Sequence, residues 1–145
     1  KYIKRLDERG LPDDDLTSPL NYRVIRWADV LLMAAEAFQR SGNDGRARTE
    51  LNKVRSRVDM PAFNGSGDAL YQAILDERRF ELSGEGYRFF DLVRTGRAMT
   101  VLNSVGRKNS SVPVSLDQSW KQILPIPRDE LLSNPNMVQN PNYGN

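Results

Sequence analysis

Glu77 and Glu81 stand one helical turn apart in the run Ile74-Leu75-Asp76-Glu77-Arg78-Arg79-Phe80-Glu81. That spacing sets two carboxylates side by side on one face of a helix. A two-carboxylate glycosidase or a carboxylate metal site uses such a pair. Hydrolysis would require one carboxyl to stay protonated and the other ionised, in a cleft open to a sugar. The neighbouring residues argue otherwise, because Arg78 lies beside the two acids and Arg26, Arg55 and Arg88 can reach them. Guanidinium groups around both acids keep both ionised and occupy their lone pairs, which builds a structural network and disables a general acid. The expectation is a buried ion network of Arg26, Glu77, Arg78, Glu81, Arg88 and Asp91 that ties the first helix to the third.

Other chemistry is excluded by what the chain lacks. It contains no His and no Cys. The usual general base near neutral pH, the commonest zinc ligand, thiolate catalysis and disulfides are therefore all missing. No catalytic residue, metal site or cofactor is expected. Gly84-Glu85-Gly86 has the look of a phosphate-cradling loop, yet it follows a helix and lacks the third glycine of a dinucleotide fingerprint, so it reads as a helix-terminating joint. Tyr87, Phe89 and Phe90, flanked by Leu92 and Val93, read as core. Trp120 and Tyr143, in poorly periodic polar sequence, are better candidates for exposed stacking, although a Trp beside a Pro-rich run is more often a lid on the core. Asn64-Gly65-Ser66 and Asn109-Ser110-Ser111 match the glycosylation triplet, which is common by chance.

The chain has 145 residues, 39% of them apolar and 28% charged, enough for one domain with a real core. Its 21 basic and 19 acidic side chains nearly cancel, so no nucleic-acid partner is expected. Arg outnumbers Lys 16 to 5, and Arg is the cation suited to buried or bidentate pairing. No run approaches the roughly 18 consecutive apolar residues of a membrane helix. The start, Lys1-Tyr2-Ile3-Lys4, carries neither Met nor a signal-peptide pattern, so the expectation is a piece of something longer. The missing cysteines fit a reducing compartment and a bacterial envelope fragment equally.

Residues 1–23 read as an extended segment and loop, 24–104 as a helical core, and 105–145 as loop, a short extended segment and an Asn/Pro-rich tail. In the first helix Trp27, Leu31, Ala34 and Phe38 recur at helical spacing, and other apolar residues fill most remaining directions. Only Asp29, Glu36 and Arg40 make a polar strip, so neighbours are expected on nearly every side. Ser41-Gly42-Asn43-Asp44 ends this helix and caps a second, whose Ala47, Leu51, Val54 and Val58 share a face. The pair resembles a tetratricopeptide hairpin, which needs stacked neighbours. A third helix is predicted from about Asp68 to Ser83, with Leu70, Tyr71, Ala73, Ile74, Leu75, Phe80 and Leu82 on an apolar arc that also holds Glu77, Arg78 and Glu81. Short helices are predicted at Tyr87–Arg94 and from Ala98 to about Ser104. The run Lys121 to Pro127 is extended and limited by its prolines to an edge or polyproline-like role, and Arg128–Leu132 is one helical turn. The tail from Asn134 to Asn145 has five Asn and two Pro and must lie on a surface.

Several stretches together resemble the C-terminal region of the SusD/RagB family of glycan-capturing outer-membrane lipoproteins. They are Arg26 to Ala37 (RWADVLLMAAEA), Leu51 to Arg57 (LNKVRSR), Ile74 to Arg94 (ILDERRFELSGEGYRFFDLVR), Leu124 to Glu130 (LPIPRDE) and Gln139 to Tyr143 (QNPNY). Ser83 stands where Ala is common in the family and Asn142 where Gly is common. The resemblance implies an all-α fold with tetratricopeptide-like helix pairs. It also implies lipid anchoring at the outer membrane through an N-terminal Cys absent from this chain, and a role as lid on a SusC-like TonB-dependent transporter. Members bind oligosaccharides for import during polysaccharide utilisation and are not enzymes. The family's sugar-stacking aromatics mostly lie in the N-terminal two thirds, so no glycan-binding residue is carried over. The alternative is a tetratricopeptide-like protein–protein interaction scaffold without a sugar ligand, the hairpin from Trp27 to Arg57 offering its groove to a peptide. An enzyme rests on Glu77 and Glu81 alone.

Overall fold

The computed structural model describes residues 23–105 and 122–143. Among them are six helices: α1 (Trp27–Arg40), α2 (Asp44–Ser56), α3 (Gly67–Glu81), α4 (Tyr87–Arg94), α5 (Ala98–Val105) and α6 (Arg128–Ser133). No strand occurs among the described residues, and the fold is all-α. The chain divides after Glu81 into two compact units.

The first unit is built on α1, α2 and α3. Helix α1 stops at a Schellman turn: Asn43 N–H donates to the Phe38 carbonyl at 2.8 Å and Gly42 N–H to Gln39 at 3.0 Å. Gly42 takes φ +81°, which a side chain would strain. Asn43 then serves as N-cap of α2, its Oδ1 accepting from Arg46 N–H. Three residues thus close one helix and open the next, producing a helical hairpin. Ala28, Leu31, Leu32 and Ala35 of α1 meet Ala47, Leu51 and Val54 of α2 and Leu70 and Ile74 of α3 in one core. Leu32, Leu51 and Leu70 are wholly buried, each contributing about 1.5–3 kcal/mol by burial.

Between α2 and α3 the chain has no regular structure, so its backbone groups need side-chain partners. Asn52 supplies two, donating from Nδ2 to the Phe63 carbonyl at 3.1 Å and accepting Phe63 N–H on Oδ1 at 2.8 Å. Arg48 donates to the Gly65 carbonyl and Arg55 Nε to that of Pro61, while Asp44 accepts Gly67 N–H at 2.7 Å.

The second unit holds α4, α5 and the C-terminal segment. Helix α4 ends at another Schellman turn, with Arg97 N–H on the Leu92 carbonyl at 2.8 Å and Gly96 at φ +69°. The Pro125-Ile126-Pro127 run has one backbone donor, and the tail supplies its partners. Gln139 accepts Ile126 N–H at 2.8 Å and donates back to the Ile126 carbonyl at 3.0 Å. Asn140 donates to the Leu124 carbonyl and the Tyr143 hydroxyl to that of Ile123. The polar tail needs no core of its own because its side chains provide the ladder that prolines deny to the backbone.

Within the described residues α1 is covered by α2 and α3 along the stripe through Ala28, Leu32 and Ala35, while Trp27 is 71% exposed and Met33 and Ala37 are also open. Three expectations are corrected. Asp29 is buried rather than on a wet strip. Phe80 is 68% exposed and Phe90 71%, since the apolar arcs of α3 and α4 are wider than their neighbours cover. Tyr143 is half-buried with its hydroxyl engaged, which removes it as a free stacking platform. Trp120 and Asn109 lie outside the described residues.

Candidate functional site

Glu77 and Glu81 of α3 are held by three arginines. Arg26, just before α1, donates from Nη1 to Glu81 Oε1 at 2.9 Å and from Nη2 to the Glu81 backbone carbonyl at 2.9 Å. It therefore satisfies a carbonyl at the C-terminal end of α3 as well as the carboxylate. Arg57, beyond the end of α2, takes the other carboxylate oxygen, Glu81 Oε2, at 2.6 Å. Arg55 on α2 donates to Glu77 Oε2 at 2.8 Å. Arg78 crosses to Asp29 in the first turn of α1 at 2.8 Å, each side chain 5% exposed. Asp29 there faces the positive end of the α1 dipole as well as the guanidinium.

The structure therefore brings Arg26 to Glu81 and places Glu77 and Arg78 on the same helix with different partners, Arg55 and Asp29. Arg88 and Asp91 lie on α4 in the second unit, where Arg88 is half-buried and Asp91, buried, accepts from Arg94 at 2.7 Å. Arg57 and Asp29 were missing from the predicted set, and Arg55, read as within reach of the two acids, was not among its six residues. Arg57 follows α2 in a polar stretch with no periodic signal. The position of Asp29, next to Leu32 on the helix wheel, was the available sign that it borders the buried stripe.

Above this network, between the C-terminal parts of α2 and α3, opens a cavity of about 610 Å³. Its apolar walls are Val58, Met60, Ala73 and Phe80, and its polar groups are Arg55, Asp76, Glu77 and Glu81. Glu81 has Arg26 on one oxygen and Arg57 on the other, and Glu77 has Arg55, so both acids are ion-paired. Arginines thus hold three of the four carboxylate oxygens of the pair. No group of three or more potential metal ligands occurs among the described residues.

Residues 1–143 match the SusD family. The chain belongs to the SusD family. A SusD-like protein of Formosa agariphila is 34% identical over 133 residues, covering 85% of this chain and 25% of that protein. Among solved structures, a SusD homolog from Bacteroides thetaiotaomicron superposes with a TM-score of 0.68 at 36% identity, over 81% of this chain and 25% of the other. A laminarin-binding SusD-like protein gives a TM-score of 0.63 at 46% identity, over 83% and 23%. The chain thus spans about a quarter of the length of these SusD-family relatives.

Proposed function

We propose that this SusD-family chain belongs to a non-catalytic glycan-binding protein that captures oligosaccharides for import. The observation that carries this reading is the 46% identity to a SusD-like protein described as laminarin-binding. The ion-paired state of Glu77 and Glu81 supports binding over hydrolysis, because a glycosidase needs one carboxyl free to act as acid. In the same reading the full-length protein is lipid-anchored on the outside of the outer membrane and delivers its glycan to a SusC-like TonB-dependent transporter. The predicted ion network of Arg26, Glu77, Arg78, Glu81, Arg88 and Asp91 serves as scaffold in this reading, with no catalytic part.

The exposed α1 face of Trp27, Met33 and Ala37 favours a second reading, an interaction scaffold without a sugar ligand. A glycan array followed by calorimetry on the full-length protein separates the two. Saturable binding of an oligosaccharide, with no release of reducing ends, is the expected result. Absence of binding to every glycan tested, together with capture of a peptide by the α1–α2 hairpin, would replace the first reading with the second.

A further inference from the structure

We infer that the cavity between α2 and α3 is a sugar subsite that takes one pyranose unit of a neutral oligosaccharide. The inference rests on the glycan-binding reading above and assigns a place to it. At about 610 Å³ the cavity falls within the roughly 300–1,000 Å³ typical of small-molecule sites. A sugar ring asks for two things at once, an apolar surface for its C–H face and fixed polar groups for its hydroxyls.

The cavity offers both. Phe80 stands at its edge, 68% exposed, with the Arg79 guanidinium 5.6 Å from the ring centroid. An aromatic ring left in water at a cavity wall is a platform for an apolar face, and Met60 and Val58, both exposed, extend it. On the polar side Glu77 gives Oε2 to Arg55, and its Oε1 takes no hydrogen bond from the described residues. Asp76 accepts from Gln72 on Oδ2 only. Arg55 uses Nε on Pro61 and Nη1 on Glu77, which leaves the Nη2 donors. Two acceptors and a donor, held in place by their other bonds, suit a set of adjacent hydroxyls.

Charge narrows the ligand class. Of the lining residues Asp76, Glu77 and Glu81 are acidic and Arg55 alone is basic. Glu81 is paired with two arginines, Arg26 and Arg57, and Glu77 with Arg55, so with Asp76 these three acids and three bases sum to zero and leave no net positive charge to attract an anion. Asp76 remains with an amide partner in Gln72. A uronic acid or sulfate would meet that charge unfavourably, so a neutral sugar fits and an anionic one does not.

The test is calorimetry on the full-length protein with laminarihexaose, maltohexaose and an oligogalacturonate. The expected result is binding of a neutral oligosaccharide and no binding of the oligogalacturonate. Phe80→Ala and Asp76→Asn should each weaken the bound neutral ligand by about tenfold or more. Phe90→Ala, an equally exposed aromatic of α4, should leave it unchanged, and thermal melts of all three variants should overlay the parent. Neutral binding that is undiminished in both cavity variants would overturn the subsite and leave the glycan-binding reading standing. Preference for the oligogalacturonate would also overturn it, and failure of the parent to bind these ligands or any glycan of the array would sink both.

Discussion

Arg78 and Asp29 illustrate how a single pair of residues decides the cost of a substitution here. Both are almost fully buried, so each has given up its hydration for protein partners. Removing the carboxylate takes a charged partner from a guanidinium that water cannot reach, and Asp29→Ala is expected to lower the unfolding free energy by about 3–5 kcal/mol. The Arg57–Glu81 pair is shorter, yet Arg57 is mostly in water. Arg57→Ala should cost no more than about 1 kcal/mol, since water and salt screen an exposed pair. Urea unfolding of both variants of the full-length protein checks the contrast, and similar losses would contradict the burial argument. A chemical prediction follows from the same residues. Neither laminarihexaose nor maltohexaose should yield reducing ends on incubation with the protein, and Glu81→Gln should leave that background unchanged, as read by a reducing-sugar assay. The placement of Glu77, Arg78 and Glu81 on a buried face was legible, because a helix wheel needs only the local sequence. Their partners were only partly so. Asp29 is 49 positions from Arg78, and no local pattern records which distant side chain a guanidinium will meet.

At the scale of elements, the loop between α2 and α3 hangs on Asn52. Two hydrogen bonds from one amide hold both backbone groups of Phe63, whose ring packs against the core. Asn52→Ala is expected to cost about 1–3 kcal/mol, because it leaves those groups without their partner. Hydrogen exchange at the Phe63 amide should rise accordingly, and an unchanged rate would show that the loop is held by other contacts. Gly42→Ala is a cleaner case: a Cβ there would meet nothing within 4 Å, so the expected loss of about 1–2 kcal/mol is backbone strain alone, measurable by chemical unfolding. Such signals explain why element boundaries could be read beforehand. Helix α4 begins and ends at the predicted residues, and α3 runs from Gly67 to Glu81 where Asp68 to Ser83 was expected. Glycines, caps and helix periodicity act within a few residues. Exposure does not, and Trp27, Phe80 and Phe90 were all placed inside because apolar spacing says which face is apolar without saying what covers it. The role of Gln139 was equally hidden, since an Asn/Pro-rich tail gives no sign that its side chains will pair with a proline-limited backbone 13 residues earlier.

The family was legible in the sequence because its motifs occur in order along most of the chain; the ligand was not, because specificity rests on where side chains converge in space. What the whole chain exposes leads to a prediction about its behaviour in solution. Helix α1 turns Trp27, Met33 and Ala37 outward, α3 exposes Phe80, and α4 and α6 expose Phe90 and Leu132. Single exposed apolar residues are ordinary, but Trp27, Met33 and Ala37 lie along one face of α1, and contiguous apolar faces of roughly a few hundred Å² mark interfaces. At about 25 cal/mol per Å², leaving such a face in water forgoes several kcal/mol, comparable to the net stability of a domain. Covering it by a second copy or by another part of a longer protein recovers that energy. The isolated 145-residue chain is therefore expected to self-associate and to bind a hydrophobic dye, with a light-scattering mass above the 16.5 kDa of one chain. Trp27→Lys, which replaces the largest apolar side chain of the exposed face with a charge at its N-terminal end, should shift that mass toward the monomer and reduce dye binding. A parent chain that stays monomeric at all concentrations and binds no dye would mean that the α1 face is already covered, and the interface argument would fail.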